Sequence, residues 1–329
     1  MNKFVRNVFK ISVIACLIIA ILNFVFIKYI ENDTEGVDKF RSIPSDIQIC
    51  NFGSSHGLRG YNYADVSKTY ECFNFGLTAQ TLSYDWRLFQ NYKDKIAPGA
   101  VVFITVSYFP LFGESETNDI DFQSKNKRYY KILPPDLIKQ YDFKTDLFVH
   151  YIPILGNDMT TLVIDTKNTL NSKDQKKENL ENKEWRRQAV ECDVNADALA
   201  AYKRHIVKNK RDKKGKRIRN NEEIESLYNL IYGCYEIDAT PVLVTTPYLK
   251  EYTDMVQKDT SFYKEFYSIL NEVVSKTGVK YYDYAFDQRF QNNYSYFINS
   301  DHLNEAGARK FVNILMDEVV ARGHLLENN

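Results

Sequence analysis

The chain has 329 residues, 44% apolar and 14% aromatic, enough to bury a sizeable core, while its overall polarity excludes a polytopic membrane protein. Basic and acidic residues balance at 43 each, so no global charge calls for nucleic acid or another acidic polymer. The balance is uneven along the chain: residues 1–30 hold Lys3, Arg6, Lys10 and Lys28 and no acid, which leaves the remainder acidic by four charges.

The first predicted element lies in that basic stretch. Ile11 to Ile27 contains no charge in 17 residues, and a helix from Val8 to Ile30, rising about 1.5 Å per residue, matches a hydrocarbon core of roughly 30 Å. Lys3, Arg6 and Lys10 precede it, whereas Glu31, Asp33, Glu35 and Asp38 follow. That asymmetry predicts a cytoplasmic N-terminus and an extracytoplasmic remainder. A cleaved signal peptide would end on small residues, which "FVFIKYIEN" lacks, so a retained single-pass anchor in the lipid bilayer is the expectation. "VIAC" resembles a lipoprotein box, but the apolar run continues well past Cys16, which argues against it. Cys16, Cys50, Cys72, Cys192 and Cys234 show neither metal-ligand spacing nor a disulfide-dense pattern, and Cys50 and Cys72 read as buried thiols.

Residues 31–46 read as a linker into a domain over 47–329. Short apolar runs at 47–52 and 72–77 end at Gly53 and Gly76, "TLSYDWRLFQNYKDKI" has helical spacing, and "AVVFITVSYF" (100–109) is the strongest strand. Between 110 and about 221 this rhythm lapses into an insertion, aromatic at first and expected to pack over the sheet. It ends highly charged, with ten Lys or Arg from Lys203 to Arg219 against one acid, Asp212. Such a run reads first as a solvated surface and second as a contact for anionic headgroups or a phosphate-rich polymer. Strand-like segments return at 241–248 and 279–284, with helices over about Ser261–Thr277 and Asn304–Arg322. Strands alternating with helices predict a parallel sheet covered on both faces, a three-layer α/β/α domain.

In such a sheet, ligands bind beyond the carboxyl ends of the strands. Gly53-Ser54-Ser55-His56 follows the first strand, Gly76 the second, and Ser107-Tyr108 the third, while His302 sits in a polar turn before the last helix. A serine hydroxyl becomes a useful nucleophile when an imidazole takes its proton and N–H donors await the oxyanion. Ser55 is therefore the candidate nucleophile and His302 the base. The backbone amides of Ser55 and Gly76 are candidate oxyanion donors, the glycine because it lets bare backbone approach a reacting carbonyl. His56 is placed either in the acyl pocket or toward solvent. Tyr108 reads as a core aromatic before a substrate contact. Against this stand plainer readings, in which Ser54 and Ser55 cap the next helix and His302 is structural. His150, His205 and His324 have no partner pattern. "GSSHG" also fits the G-x-S-x-G elbow of α/β-hydrolases, but it comes too early in the chain for that fold.

At "GSSH", "NFGLTAQT" and "NSDHLNEAGA" the chain resembles the SGNH or GDSL-type hydrolases and acyltransferases, with Ser55 at the nucleophile position and His302 as the histidine of the terminal block. The "GSSH" variant and the anchor are most similar to the membrane-attached branch that includes the D-alanyl transfer protein of lipoteichoic acid synthesis and polysaccharide O-acetylation proteins of bacteria. The resemblance implies acyl transfer or ester hydrolysis on a cell-surface glycan or teichoic acid, often beside a polytopic membrane-bound O-acyltransferase, without a metal or cofactor. Two departures matter. The family's third block brings an asparagine to the oxyanion hole, where this chain has Ser107 and Tyr108. Three residues before His302, where the family has its triad aspartate, stands Asn299; Asp301 is the nearest carboxylate, although adjacent residues usually point apart. The expectation is a Ser55–His302 dyad oriented by Asn299 or Asp301. Its rival is a catalytically silent domain of the same fold that binds a glycan or scaffolds an acyltransferase.

Overall fold

The computed structural model describes residues 3–26, 36–113, 126–156, 185–191, 193–209 and 211–321. They fall into two compact units, Met1–Val37 with Asn118–Leu180, and Asp38–Thr117 with Glu181–Asn329.

In the first unit, helix α1 (Lys3–Val25) is apolar on all sides, and none of its residues is buried. Phe4, Ile11, Ile21 and Phe24 are each more than 60% exposed, a surface that water disfavours and lipid accepts. At 23 residues the helix is about 35 Å long, long and apolar enough to cross a membrane. It starts earlier in the chain than the span expected from the sequence, and residues 27–30 of that span lie outside the described ones. The side-chain amide of Asn23 donates to the Tyr151 carbonyl (3.1 Å), and its oxygen accepts from the Ile154 amide (3.3 Å).

The second unit holds a five-stranded, all-parallel sheet in the order β2-β1-β3-β4-β5. Its strands are β1 (Ile47–Phe52), β2 (Cys72–Asn74), β3 (Ile96–Thr105), β4 (Thr240–Thr245) and β5 (Lys280–Asp283). The central strands are near-continuous apolar runs because both faces are covered. Ile49, Val101, Phe103, Val242 and Val244 point to one face, where they meet Phe311, Leu315 and Val319 of the last helix, Glu305–Ala321. On the other face Phe52 stacks on Phe75 (4.7 Å) and meets Phe89 edge-on (6.1 Å). Phe89 belongs to α2's successor in the chain: α2 is Ser55–Gly60 and α3 is Leu82–Tyr92.

Two expectations on organisation change. Residues 31–46 are not all linker, since Asp38–Ser42 forms a 3-10 turn whose buried Phe40 packs on Phe73, Phe75 and Tyr92. The insertion is not one piece, since residues 126–156, including α4 (Phe143–Tyr151), belong to the first unit and residues 185–221 to the second. There, α5 (Val194–Tyr202), capped by Asp193, packs against α7 (Lys250–Lys258), and α6 (Asn221–Glu236), capped by Asn220, packs against α3. The basic run is partly internal: Arg217 is buried and pairs with Asp259, and Arg219 bridges Glu265 (2.7 Å) and Glu272 (3.2 Å) on α8 (Thr260–Thr277). The long C-terminal helix, Glu305–Ala321, is α9.

Candidate active site

The sheet order reverses at β1, which leads to β2 on one side and has β3 on the other. Such a switch point leaves a crevice beyond the strand ends. Gly53 leaves β1 at φ 141°, and a Cβ there would stand 2.7 Å from Thr105 Cβ on β3, so no other residue lets the turn come this close. The turn delivers Ser55 to the first position of α2. Neither serine hydroxyl caps that helix: Ser54 makes no side-chain cap bond and its buried hydroxyl has no hydrogen-bond partner among the described residues, while the Ser55 hydroxyl points to His302.

His302 is carried by a tight loop whose neck is the antiparallel bridge Phe297–Leu303. Asn299 Oδ1 accepts from the amides of His302 (2.9 Å) and Asp301 (3.3 Å), and Asp197 accepts from the amide and hydroxyl of Ser300. This turn brings side chains 247 residues apart together, with Ser55 Oγ 2.8 Å from His302 Nε2. The other ring nitrogen, Nδ1, faces two oxygens, Asp301 Oδ1 at 3.0 Å and Asn299 Oδ1 at 3.1 Å. Because both can only accept, Nδ1 carries the proton and Nε2 presents its lone pair to the serine hydroxyl. Both candidate orienters are thus on the same nitrogen.

Asp301 is 1% exposed, and its second oxygen faces two further imidazoles, His56 Nε2 at 3.4 Å and His205 Nδ1 at 3.7 Å. The His56 ring lies nearly parallel to His302, with centroids 4.6 Å apart and planes at 20°, and its Nδ1 is 2.7 Å from Ser107 Oγ. A carboxylate on Nε2 requires the proton there, so Nδ1 accepts from the Ser107 hydroxyl. The Arg204 Nε–H donates to His205 Nε2 (3.2 Å), leaving the proton on Nδ1, which donates to the Tyr252 hydroxyl (2.9 Å).

These contacts set the charges. Burial alone would raise the Asp301 carboxyl, but His302 and His56 more than offset it and hold it well below the usual carboxylate range. Burial lowers His56 despite the partly compensating Asp301, and it lowers His205 to about 3. At neutral pH one carboxylate therefore sits against two neutral buried imidazoles and the ring that faces Ser55.

Three expected placements change, and a fourth residue lies where the sequence put it. The Gly76 amide donates to Asn74 Oδ1 (2.9 Å) and so is not free for an oxyanion. A Cβ on Gly76 would lie 2.6 Å from the Leu58 amide nitrogen, so this glycine serves the close packing of β2's exit on α2. The Ser107 hydroxyl is spent on His56 rather than offered to a substrate. His56 neither lines a pocket for an acyl group nor points to solvent; it is 3% exposed and hydrogen-bonded on both nitrogens. Tyr108 is 1% exposed and packs on Tyr248, Tyr252, Phe262 and Phe266, the core position that sequence favoured. Of the expected oxyanion donors, the Ser55 amide remains, at a helix start where the backbone supplies no acceptor.

Sequence reasoning missed His205, Arg204 and Tyr252, because no local pattern links the charged run to this loop. His150 pairs with Asp146 in the first unit, and His324 lies outside the described residues. Ligand atoms of His56, Asp301 and His302 lie within 4.8 Å of one another, which raises the question of a metal ion. The two imidazoles stack, so their in-plane lone pairs run side by side instead of converging, and the set fits a hydrogen-bonded relay better than a coordination sphere. A polar cleft of about 640 Å³ lies along α9, bordered by Asn62, Arg186, Tyr296 and Arg309, and includes neither Ser55 nor His302. Comparison with protein-family models gives no match for this chain, and a search of curated proteins gives none either.

Proposed function

We propose that this protein is a membrane-anchored, serine-dependent acyltransferase or esterase acting on a cell-surface glycan or teichoic acid. The observation that carries the reading is the line Ser55 Oγ, His302 Nε2, His302 Nδ1 and Asp301, with contacts of 2.8 Å and 3.0 Å. In the first step His302 takes the Ser55 proton while Oγ bonds to the ester carbonyl carbon. The tetrahedral oxyanion faces the Ser55 amide, and collapse breaks the ester C–O bond as His302 protonates the departing alcohol. The acyl group then rests on Ser55. A sugar or polyol hydroxyl, deprotonated by His302, attacks it to complete transfer; water in its place gives hydrolysis. Asp301 supplies what Asn299 alone lacks, a negative charge beside the transient imidazolium.

The substrate class and the SGNH or GDSL-type affiliation rest on the blocks around Ser55, Gly76 and His302. An orientation with the sheet-bearing unit outside the cell rests on the cations Lys3, Arg6 and Lys10 in the N-terminal part of α1 and the acids that follow it. A polytopic membrane-bound O-acyltransferase would be the acyl donor's source on the same reading. The catalytically silent rival draws on the oxyanion side, where the Gly76 amide and the Ser107 hydroxyl are already engaged.

A fluorophosphonate probe separates the two. Labelling of the full-length protein in detergent, lost in Ser55→Ala and weakened in His302→Ala, supports the enzyme; labelling that survives Ser55→Ala, or none in the wild type, refutes it. Surface polymers that lose ester when the protein is deleted point to transfer, and those that gain it point to hydrolysis.

A further inference from the structure

The proposed nucleophile and base account for one oxygen of Asp301. Its other oxygen, the stacked His56 and the buried Ser107 have no place in that scheme, yet they form its mirror image. Ser55, His302, Asp301, His56 and Ser107 make one continuous chain, with contacts of 2.8, 3.0, 3.4 and 2.7 Å. Ser107 itself is 1% exposed and out of reach of a polymer. The second arm therefore cannot repeat the first arm's chemistry.

We infer that His56 is a positioning residue for the Ser55–His302 pair, acting through Asp301, with the carboxylate setting its tautomer and Ser107 satisfying its other nitrogen. A carboxylate held by one donor is free to rotate about its own axis and to exchange the oxygen it presents. A second donor on Oδ2 pins the carboxylate plane, so that Oδ1 stays on His302 Nδ1 and Nε2 stays aimed at Ser55. His56 is suited to this because it gives the carboxylate a hydrogen bond without a competing positive charge, and while the carboxylate keeps the proton on Nε2 the Ser107 hydroxyl can donate to Nδ1. Arg204, Tyr248, Tyr252 and His205 surround the cluster from α5, α7 and the segments beside them. His56 also covers one face of the His302 ring, and a purely steric role is the competing explanation.

The inference rests on Ser55 and His302 being nucleophile and base, and two substitutions of His56 test it. Phe keeps an aromatic ring against His302 but removes the donor, whereas Gln keeps an N–H for Asp301 and removes the ring. The full-length protein in detergent is titrated with a fluorophosphonate probe across pH. The expected result is that His56→Phe labels roughly 10- to 100-fold more slowly, the size of a lost charge-assisted hydrogen bond, and that His56→Gln recovers most of the rate. The acid limb of the profile in His56→Phe should also move to higher pH, because a carboxylate short of one donor makes the Asp301–His302 pair hold its proton longer. Wild-type behaviour of His56→Phe overturns the inference, as does an equal slowing of both variants with an unmoved limb, which is the mark of packing alone. A ¹⁵N-imidazole titration of the pair by NMR reads the same coupling without chemistry. A shift there in a protein that never labels sinks the acyl-transfer reading and leaves the role of His56 standing, whereas labelling without any shift does the reverse.

Discussion

Asp301→Asn is the most informative single change, because the loop provides two oxygens for one nitrogen of His302. The substitution is isosteric and keeps one acceptor, but it turns the other oxygen into an NH2 group and removes the charge. The shorter contact, 3.0 Å to His302 against 3.4 Å to His56, favours keeping the new amide oxygen on His302. The NH2 then faces His56, which can switch tautomer because the Ser107 hydroxyl is able to accept as well as donate. Asn299 Oδ1, at 3.1 Å, continues to hold the His302 proton on Nδ1. What is lost is electrostatic. At this separation and an effective dielectric near 20, imidazolium and carboxylate attract by about 5 kcal/mol. Desolvation returns most of that, and a charged hydrogen bond exceeds a neutral one by about 1–2 kcal/mol net, or roughly 5- to 30-fold in rate. Asn299→Ala alone should cost only a few-fold, since the Asp301 charge remains and Asp197 and the Ile298 amide still hold the loop. The double variant loses the charge and also the acceptor that holds Nδ1 when the new amide at 301 rotates its NH2 inward; His302 can then turn its proton toward Ser55, and the rate should fall by about 10³- to 10⁴-fold. Single-turnover fluorophosphonate labelling measures all three. A loss of about 10⁴-fold in Asp301→Asn with Asn299→Ala silent would show that Asn299 does not guard the tautomer, and no loss in Asp301→Asn would remove the carboxylate from the mechanism.

Three further outcomes follow from other parts of the structure. Gly53→Ala combines a left-handed φ of 141° with a Cβ 2.7 Å from Thr105 and should destabilise by about 2–5 kcal/mol; a urea midpoint within error of wild type would refute the strain argument. Burial, with Glu223 adding and Gln80 opposing, raises the Asp85 carboxyl to about 8. Native Asp85 thus keeps a proton that the unfolded chain releases near pH 4, so its contribution to stability falls as pH rises from about 4 to about 8. Asp85→Asn should therefore gain Tm over wild type progressively across that range, and a constant difference would contradict the assignment. Deleting residues 3–26 should move the protein from the membrane pellet to the soluble fraction on cell fractionation, and retention in the pellet would show that α1 is not its anchor.

The fold was legible because its signals are local. Continuous apolar runs bounded by Gly53 and Gly76, the 3.6-residue spacing of Phe311, Leu315 and Val319, and the uncharged stretch within α1 each follow from which surfaces water can tolerate. The Ser55–His302 pairing was legible only through topology, since a parallel sheet gathers its strand exits on one edge. Helix α6 went unread because its acidic first turn directly follows the basic run and merges with it into one charged stretch, although Asn220 and Glu223 mark its start. His205 was illegible in principle, because nothing in "YKRHIVKNK" marks it as a neighbour of Asp301. Gly76 shows a different failure. The sequence marks a position where backbone must approach closely, but it cannot say whether the close neighbour is a reacting carbonyl or, as here, the amide of Leu58.

Asn299, standing where the resemblance leads one to expect an aspartate, is the point where sequence pattern and geometry part most sharply. Adjacent side chains usually diverge, and on that ground Asp301 is a poor partner for His302. The loop removes the objection because Asn299 Oδ1 gathers the amides of residues 301 and 302 into one turn, while Asp197 holds Ser300 from behind and the Ile298 amide closes on the His302 carbonyl. With the backbone folded so tightly, neighbouring side chains leave it toward the same space. Asn299 thus does through the main chain what an aspartate at its position would do through a carboxylate, and the charge moves two residues along to a site where it also meets His56. On that logic Asn299→Asp gains little: it would place a second carboxylate 3.1 Å from the same nitrogen, where like charges oppose each other and one of the two must take up a proton. A variant that instead reacted faster than wild type across neutral pH would mean that Asp301 does not carry the charge of this site.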